Sequence, residues 1–220
     1  MSNMRYISPL TDFGFRKVFS NEEVAAAFLN DLLQPASAIS HVAYLELESP
    51  LDNEGVTFHM QCKCDDGSEM IVMMHNKGNI NFSNQILYAL TLANTSQVKK
   101  GYIEWNYNPL PVYVVFFFDF CMPGFAPRAL RTIQFKESET DKVYSDKLNA
   151  ITIETPSCRN IKMEECKSGI DYWLYNLSNM GTMTSDIPFQ EERPIFGKIA
   201  GMTELSNMTD EERLIINNND

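Results

Sequence analysis

The segment spanning residues 56–76, VTFHMQCKCDDGSEMIVMMHN, limits the possible folds more than any other part of the chain. Its first eight residues alternate apolar and polar side chains, which is the period of a strand with two different faces. Asp65, Asp66 and Gly67 form a turn signal, because aspartate initiates turns through its side chain and glycine accepts a positive φ. Residues 69–75 are more continuously apolar, as in a strand at the centre of a sheet. The segment therefore predicts a β-hairpin inside a larger sheet.

The rest of the chain is long enough to bury one substantial core around this hairpin. Its 220 residues are 44% hydrophobic and 21% charged, which is ordinary for a globular protein. The formal net charge of −11 argues against a protein whose whole surface binds nucleic acid, because duplex affinity depends on neutralisation of the phosphates. A local basic strip is still compatible with this net charge. Five irregularly spaced cysteines, no signal peptide and no membrane-length apolar run predict a soluble cytoplasmic protein without a membrane partner.

Helical and strand patterns flank the hairpin on both sides. Residues 20–23, SNEE, match a capping box, and the apolar stripe after them predicts a helix that ends near Pro35. Residues 41–47 predict a strand, and residues 81–97 predict a helix. Residues 111–120, PVYVVFFFDF, are almost continuously apolar and predict a strand covered on both faces.

The second half of the chain adds further elements of both kinds. Residues 130–135 and 148–154 predict strands, and residues 161–177 predict a helix. A loop at residues 178–188 precedes a short helix at residues 194–205. This mixture predicts an α/β or α+β protein with helices on the faces of its sheet.

Several segments, in the right order, resemble the PD-(D/E)XK nuclease family of transposases, relatives of the recombination-promoting nucleases. They are YISPLTDFGFRKVF with the helix after it, the hairpin, the helix ending in QVKKG, the strand VYVVFFFDF, DKLNAITIETP and YWLYNLSN. The resemblance covers most of residues 5–180. It implies an α/β restriction-endonuclease-like fold, with a central mixed β-sheet flanked by helices and a helical C-terminal extension. It also implies a nuclease-like domain at residues 1–180, followed at residues 181–220 by a linker and a short helical tail that looks truncated.

The resemblance further implies a catalytic site in the hairpin. In the family, the first strand carries an Asp and the second a Glu-x-Gln, or Glu-x-Lys in other branches. The two carboxylates hold Mg²⁺, and the third group orients the attacking water or stabilises developing charge. The Asp is matched by His59, the Glu by Met73 and the Gln by His75, whereas Asp12 in TDFGF matches a nearby acidic residue and is retained. Thioether and imidazole groups are poor Mg²⁺ ligands, so three of the four family positions are replaced.

These replacements favour one function and leave two alternatives open. The favoured prediction is a protein related to DNA endonucleases that is catalytically inactive and needs no cofactor, although its family uses Mg²⁺. One alternative is a protein-interaction scaffold without DNA binding. The other is an active metal-dependent DNA nuclease whose ligands have migrated, for example to Glu69 or Asp65. Whether the chain is an enzyme therefore stays open at this point.

DNA is the partner that the resemblance implies, through a local basic strip, and protein partners are the alternative. The candidate DNA-binding residues are Arg16, Lys17, Lys63, Lys77, Lys99 and Lys100. These residues can be interpreted at least as well as scattered, solvated side chains that do not bind DNA. A zinc site formed by His59 and His75 with Cys62 or Cys64 is less favoured. Cys62 has the opposite strand parity to His59, and two histidines without further well-spaced ligands do not make a zinc signature.

Overall fold

The computed structural model describes residues 4–98 and 108–218, which belong to two compact units. One unit, here called the sheet unit, is Ser37–Glu154. The other, here called the helical unit, combines the two flanks of the chain, Met1–Ala36 and Thr155–Asp220. The predicted division at residue 180 stays a prediction.

The described residues of the sheet unit form a six-stranded mixed sheet with the spatial order β1-β2-β3-β4-β6-β5. Its strands are β1 (Ile39–Tyr44), β2 (Thr57–Cys64), β3 (Glu69–His75), β4 (Val112–Phe118), β5 (Leu130–Lys136) and β6 (Val143–Glu154). The first three strands form an antiparallel meander. Strand β4 is parallel to β3 and β6, whereas β5 is antiparallel to β6.

Seven α-helices lie in the described part of the chain. They are α1 (Asp12–Phe19), α2 (Glu22–Leu33), α3 (Phe82–Thr95), α4 (Thr155–Cys158), α5 (Gly169–Asn179), α6 (Ile195–Thr203) and α7 (Asp210–Asn218). Helix α3 lies in the sheet unit and connects the parallel strands β3 and β4, which need such a crossover. Among the described residues, no helix is both long enough and apolar enough to cross a membrane.

The β2–β3 hairpin confirms the prediction made from residues 56–76. Gly67 has a φ of 84°, which suits glycine, and its N–H donates to the carbonyl of Cys64 at 2.9 Å. The Asp66 carboxylate accepts from the backbone N–H of Ser68 at 2.9 Å and from its hydroxyl at 2.6 Å. The turn residues therefore fix the hairpin as their types predict.

Strand β4 confirms the second main prediction, because it lies between β3 and β6 in the interior of the sheet. Both of its faces are buried. On one face, Val114 and Phe116 join a hydrophobic cluster with Ile86 and Ala89 of α3. On the other face, Phe117 is 1% exposed. A strand with no solvated face has no position for polar residues, which explains its continuous apolar sequence.

Two predicted boundaries were wrong because local contacts override the hydrophobic pattern. Strand β1 begins earlier than residues 41–47, since its buried side chains are Ile39 and Val42. The helix predicted at residues 161–177 begins only at Gly169. Ser168 and Asp171 form a reciprocal capping box there, which fixes the first turn of α5.

The helical unit is held together by contacts among α2, α5 and α6. Asp31 of α2 accepts from Trp173 Nε1 at 3.0 Å and from Arg193 Nη2 at 2.7 Å. The Trp173 ring also packs edge-to-face against Phe28 and Phe196, with centroid distances of 5.3 and 4.9 Å. Helix α6 confirms the short helix predicted at residues 194–205.

Candidate functional site

The three hairpin residues that the resemblance matches to family catalytic positions lie on one face of β2 and β3. The strand register places His59 opposite Met73 and Thr57 opposite His75. Directly opposite residues of an antiparallel pair share a face and have Cβ atoms about 4.5–5.5 Å apart. His59 therefore adjoins Met73 and lies diagonal to His75. The two histidines of the less favoured zinc site are therefore not directly opposite each other, because Thr57 lies opposite His75.

The side chain of Met73 is embedded in apolar packing. It is 1% exposed, and its register partner on β4 is Val114. The same cluster contains Ile71 from β3, with Ile86 and Ala89 from α3. The position matched to the family glutamate is therefore part of the hydrophobic core.

His59 is a buried histidine whose environment favours the neutral ring. Its side chain is 6% exposed, and Nε2 has no hydrogen-bond partner among the described residues. Burial lowers the pKa of His59, and the charge of Asp52 opposes that effect only in part. The surroundings of this residue therefore favour its uncharged imidazole form.

His75 is fully buried and fixed on several sides. Its Nδ1 lies 3.1 Å from the Thr57 hydroxyl, and its ring packs edge-to-face on Phe116 at a centroid distance of 5.4 Å. The backbone of Gly55 also passes closely, since a Cβ atom there would lie 3.2 Å from His75 Cε1 and 2.6 Å from Asn76 Oδ1. Packing of this kind holds the imidazole in one orientation.

A polar network beside the hairpin was missed by the sequence analysis. The Glu54 carboxylate accepts from Asn79 Nδ2 and from Gln85 Nε2, both at 2.6 Å. Gln85 Oε1 in turn accepts from the Asn79 backbone N–H at 3.1 Å. These bonds tie the loop before β2 to the first turn of α3. The signal in the sequence that could have indicated this network is Gln85, a polar residue among the apolar residues of the helix predicted at residues 81–97.

Another carboxylate of the sheet unit is also already engaged. Glu154, at the end of β6, is fully buried and accepts from Arg131 Nη2 at 3.3 Å and from the Arg128 backbone N–H at 3.3 Å. Strand β4 separates β6 from β3, so Glu154 lies away from the hairpin pair. Glu154 is therefore two strands away from Met73 and is held by its own partners.

Asp12 and the first two candidate basic residues lie on α1 of the helical unit. Asp12 is the first residue of α1, which Thr11 caps through a hydrogen bond from the Gly14 backbone N–H at 3.1 Å. Arg16 is exposed, whereas Lys17 forms an ion pair with Glu212 of α7. This ion pair lowers the pKa of Glu212. A shared cleft between Asp12 and the hairpin stays a prediction.

The other candidate basic residues belong to the sheet unit or lie outside the described part of the chain. Lys63 and Lys77 are exposed in the sheet unit. Lys99 and Lys100 lie outside the described residues. A continuous basic strip therefore also stays a prediction.

The residues at the matched positions do not fit Mg²⁺. This ion takes oxygen ligands, whereas His59, Met73 and His75 offer nitrogen and a thioether. Cys62 and Cys64 lie on the opposite face of β2, and burial raises the pKa of the Cys62 thiol to about 12. Within residues 4–98 and 108–218, no three His, Cys, Asp or Glu side chains are grouped so that they could hold a metal ion.

The buried imidazole of His59 predicts a specific loss of stability in acid. Because its folded pKa lies below the ordinary histidine value of about 6.5, the unfolded state binds more protons just below that pH. The stability from neutral His59 is therefore complete above about pH 6.5 and is lost as the pH falls through the folded pKa. Replacement of His59 by leucine should reduce the slope of unfolding free energy against pH by up to about 1.4 kcal/mol per unit.

Urea denaturation between pH 7.5 and 5 measures this slope. His41→Gln, at an exposed histidine of β1, is the control for the loss of a histidine elsewhere on the sheet. An unchanged slope in His59→Leu would show that the pKa of this imidazole is the same in the folded and unfolded states, which would contradict the effect of burial.

Comparison with known families gives one match that covers most of the chain. The model of the PD-(D/E)XK nuclease family transposases matches residues 9–220. Comparisons with curated proteins and with solved structures found no match. The antiparallel meander, the α3 crossover and the parallel strand β4 form a restriction-endonuclease-like α/β fold. With a match over most of its length, the chain belongs to the PD-(D/E)XK nuclease family of transposases.

Proposed function

We propose that this protein retains the nuclease fold of its family but has lost metal-dependent DNA cleavage. The observation that carries the proposal is the buried pair formed by His59 and Met73. The two strands present these side chains side by side, which is the arrangement that two carboxylates would need to share one cation. In this chain the same arrangement supplies an imidazole and a thioether.

The environment of the pair supports the proposal as strongly as the residue types do. A Mg²⁺ ion needs oxygen ligands and usually keeps several waters. At 1% and 6% exposure, Met73 and His59 leave little access for water, and hydrocarbon from β3, β4 and α3 surrounds Met73. Without a bound cation, neither water activation nor charge stabilisation at phosphorus has a source at this position.

The alternative of migrated ligands receives no support from the described carboxylates. Glu69 accepts from Gln61 Nε2 at 2.8 Å, and Asp65 is exposed at the turn end of the hairpin. Glu54 and Glu154 are held by the networks described above. The described residues contain no group of three His, Cys, Asp or Glu side chains that could hold a metal ion.

A plasmid-nicking assay with Mg²⁺ or Mn²⁺ tests the loss of cleavage. The purified wild-type protein should convert supercoiled DNA no faster than Asp12→Ala, because the residue types at the hairpin cannot hold the metal. Asp12→Ala also serves as the matched control for contaminating nucleases. Wild-type nicking that this substitution abolishes would contradict the proposal.

Restoring the family residues should recreate a metal site. The triple variant His59→Asp, Met73→Glu and His75→Gln places two carboxylates side by side in a buried position. Like-charge repulsion and desolvation should destabilise its metal-free form by several kcal/mol, which corresponds to a drop in melting temperature on the order of 10 °C. Mg²⁺ or Mn²⁺ should reverse part of that drop, because a ligand of the folded state stabilises it.

Thermal melting in chelator and in a metal series measures both effects. The control is the isosteric, uncharged triple variant His59→Asn, Met73→Gln and His75→Gln, whose melting temperature should not respond to metal. A restored variant that is equally indifferent to Mg²⁺ and Mn²⁺ would show that these residues are not the former ligand positions.

A scaffold function without DNA binding is the second candidate, and two observations favour it. The formal net charge is −11, and Lys17 is already paired with Glu212. A scaffold should show no measurable duplex binding even at low salt. Affinity that falls steeply with salt, and that Arg16→Gln reduces, would instead indicate a retained phosphate contact.

A further inference from the structure

Helix α7 of the helical unit is formed although none of the side chains of residues 210–216 is buried. Glu212 and Ile216 are half-buried, and the other five side chains are exposed, with Leu214 and Ile215 at 62% and 44%. An isolated helix of nine residues is marginal in water, and most helices in proteins are stabilised by a packed apolar face. Helix α7 therefore needs another source of order.

Polar contacts to the chain just before it fix the first turn of α7. The Glu212 N–H donates to the Thr209 hydroxyl at 3.2 Å, and the Thr209 N–H donates to Glu212 Oε2 at 3.0 Å, which makes a reciprocal capping box. Arg213 Nη2 donates to the carbonyls of Leu205 and Ser206, at 3.3 and 3.4 Å. These bonds begin the helix but do not attach it to another helix.

The Glu212 carboxylate also reaches a distant part of the chain. Its Oε1 atom forms an ion pair with Lys17 Nζ of α1. Both side chains are about three-quarters covered, with exposures of 24% for Lys17 and 25% for Glu212. The Lys17 ammonium group also lies over the ring of Phe13, 5.9 Å from its centroid. The charged end of Lys17 therefore has the Phe13 ring and the Glu212 carboxylate as neighbours.

This attachment of α7 to α1 can open without unfolding the rest of the helical unit. An ion pair between partly exposed groups contributes little to stability, and salt screens it. By contrast, the chain immediately before α7 is anchored by apolar burial, since Met208 is 5% exposed and Thr203 of α6 is fully buried. Local opening of the least buried segment of a protein is the expected first step of its unfolding.

We propose that α7 is a releasable strap that controls access to Lys17 on α1. In the closed state, which the structure shows, the Glu212 carboxylate occupies the ammonium group of Lys17. When the ion pair opens, α7 separates from α1, and the ammonium group becomes available to other anions. The proposal concerns the helical unit and does not depend on whether the hairpin has lost cleavage.

Amine labelling of the full chain, measured by mass spectrometry, tests access to Lys17. In the wild-type protein at low salt, Lys17 should be labelled several-fold more slowly than the exposed Lys142, and salt should reduce this difference because it screens the ion pair. Glu212→Gln should raise the labelling rate of Lys17 several-fold at low salt and remove its dependence on salt. Glutamine still completes a capping box, so this variant loses the charge but keeps the first turn of the helix.

Glu211→Gln is the matched control. It makes the same change of charge at an exposed neighbour in the same turn, and it should leave the labelling rate of Lys17 at the wild-type value. Equal labelling of Lys17 in the wild type and in Glu212→Gln would overturn the proposal.

Hydrogen exchange of the backbone amides in residues 213–216 measures the helix itself. Exchange should be faster in Glu212→Gln and in Lys17→Met, which keeps the apolar part of the lysine side chain. The double variant should exchange little faster than either single one, because both substitutions remove the same contact. Exchange at the wild-type rate in both single variants, or a large drop in melting temperature in Glu212→Gln, would contradict a locally released strap.

Discussion

The burial of Met73 is the interaction on which the candidate site depends. This side chain lies between His59 on β2 and Val114 on β4, and α3 packs on the same cluster. A carboxylate in this place would cost several kcal/mol unless a cation compensated it, whereas a flexible thioether fills the space at no electrostatic cost. The hairpin can therefore serve the stability of the sheet or the binding of a metal. In this chain the residues of the hairpin suit the first role.

Much of the fold could be predicted because its main signals are local. The Asp66-Gly67 turn and the apolar sequence of β4 each depend on neighbouring residues, and both appear where their patterns predict them. The start of the helix predicted at residues 161–177 was wrong for an equally local reason, because the helix begins at Gly169. Its apolar spacing continues through the segment before Gly169, but the hydrogen bonds between Ser168 and Asp171 define where the helix begins.

The candidate site was less predictable because it depends on register and on contacts distant in sequence. Strand parity could place His59 and Met73 on one face, yet only the pairing shows that Thr57, and not His59, lies opposite His75. The bonds of Glu54 to Asn79 and Gln85 span 25 and 31 residues, and the ion pair of Lys17 with Glu212 spans 195. Patterns of hydrophobicity carry no information about partners this far apart.

The most direct test of whether the hairpin binds a metal is calorimetric titration of the wild-type protein with Mg²⁺, Mn²⁺ and Zn²⁺, with melting curves in parallel. The buried His59–Met73 pair predicts no saturable heat and an unchanged melting temperature for each ion. A stoichiometric binding isotherm, with a melting temperature that rises with metal concentration and returns in chelator, would contradict this interpretation, because only a site in the folded protein produces both effects.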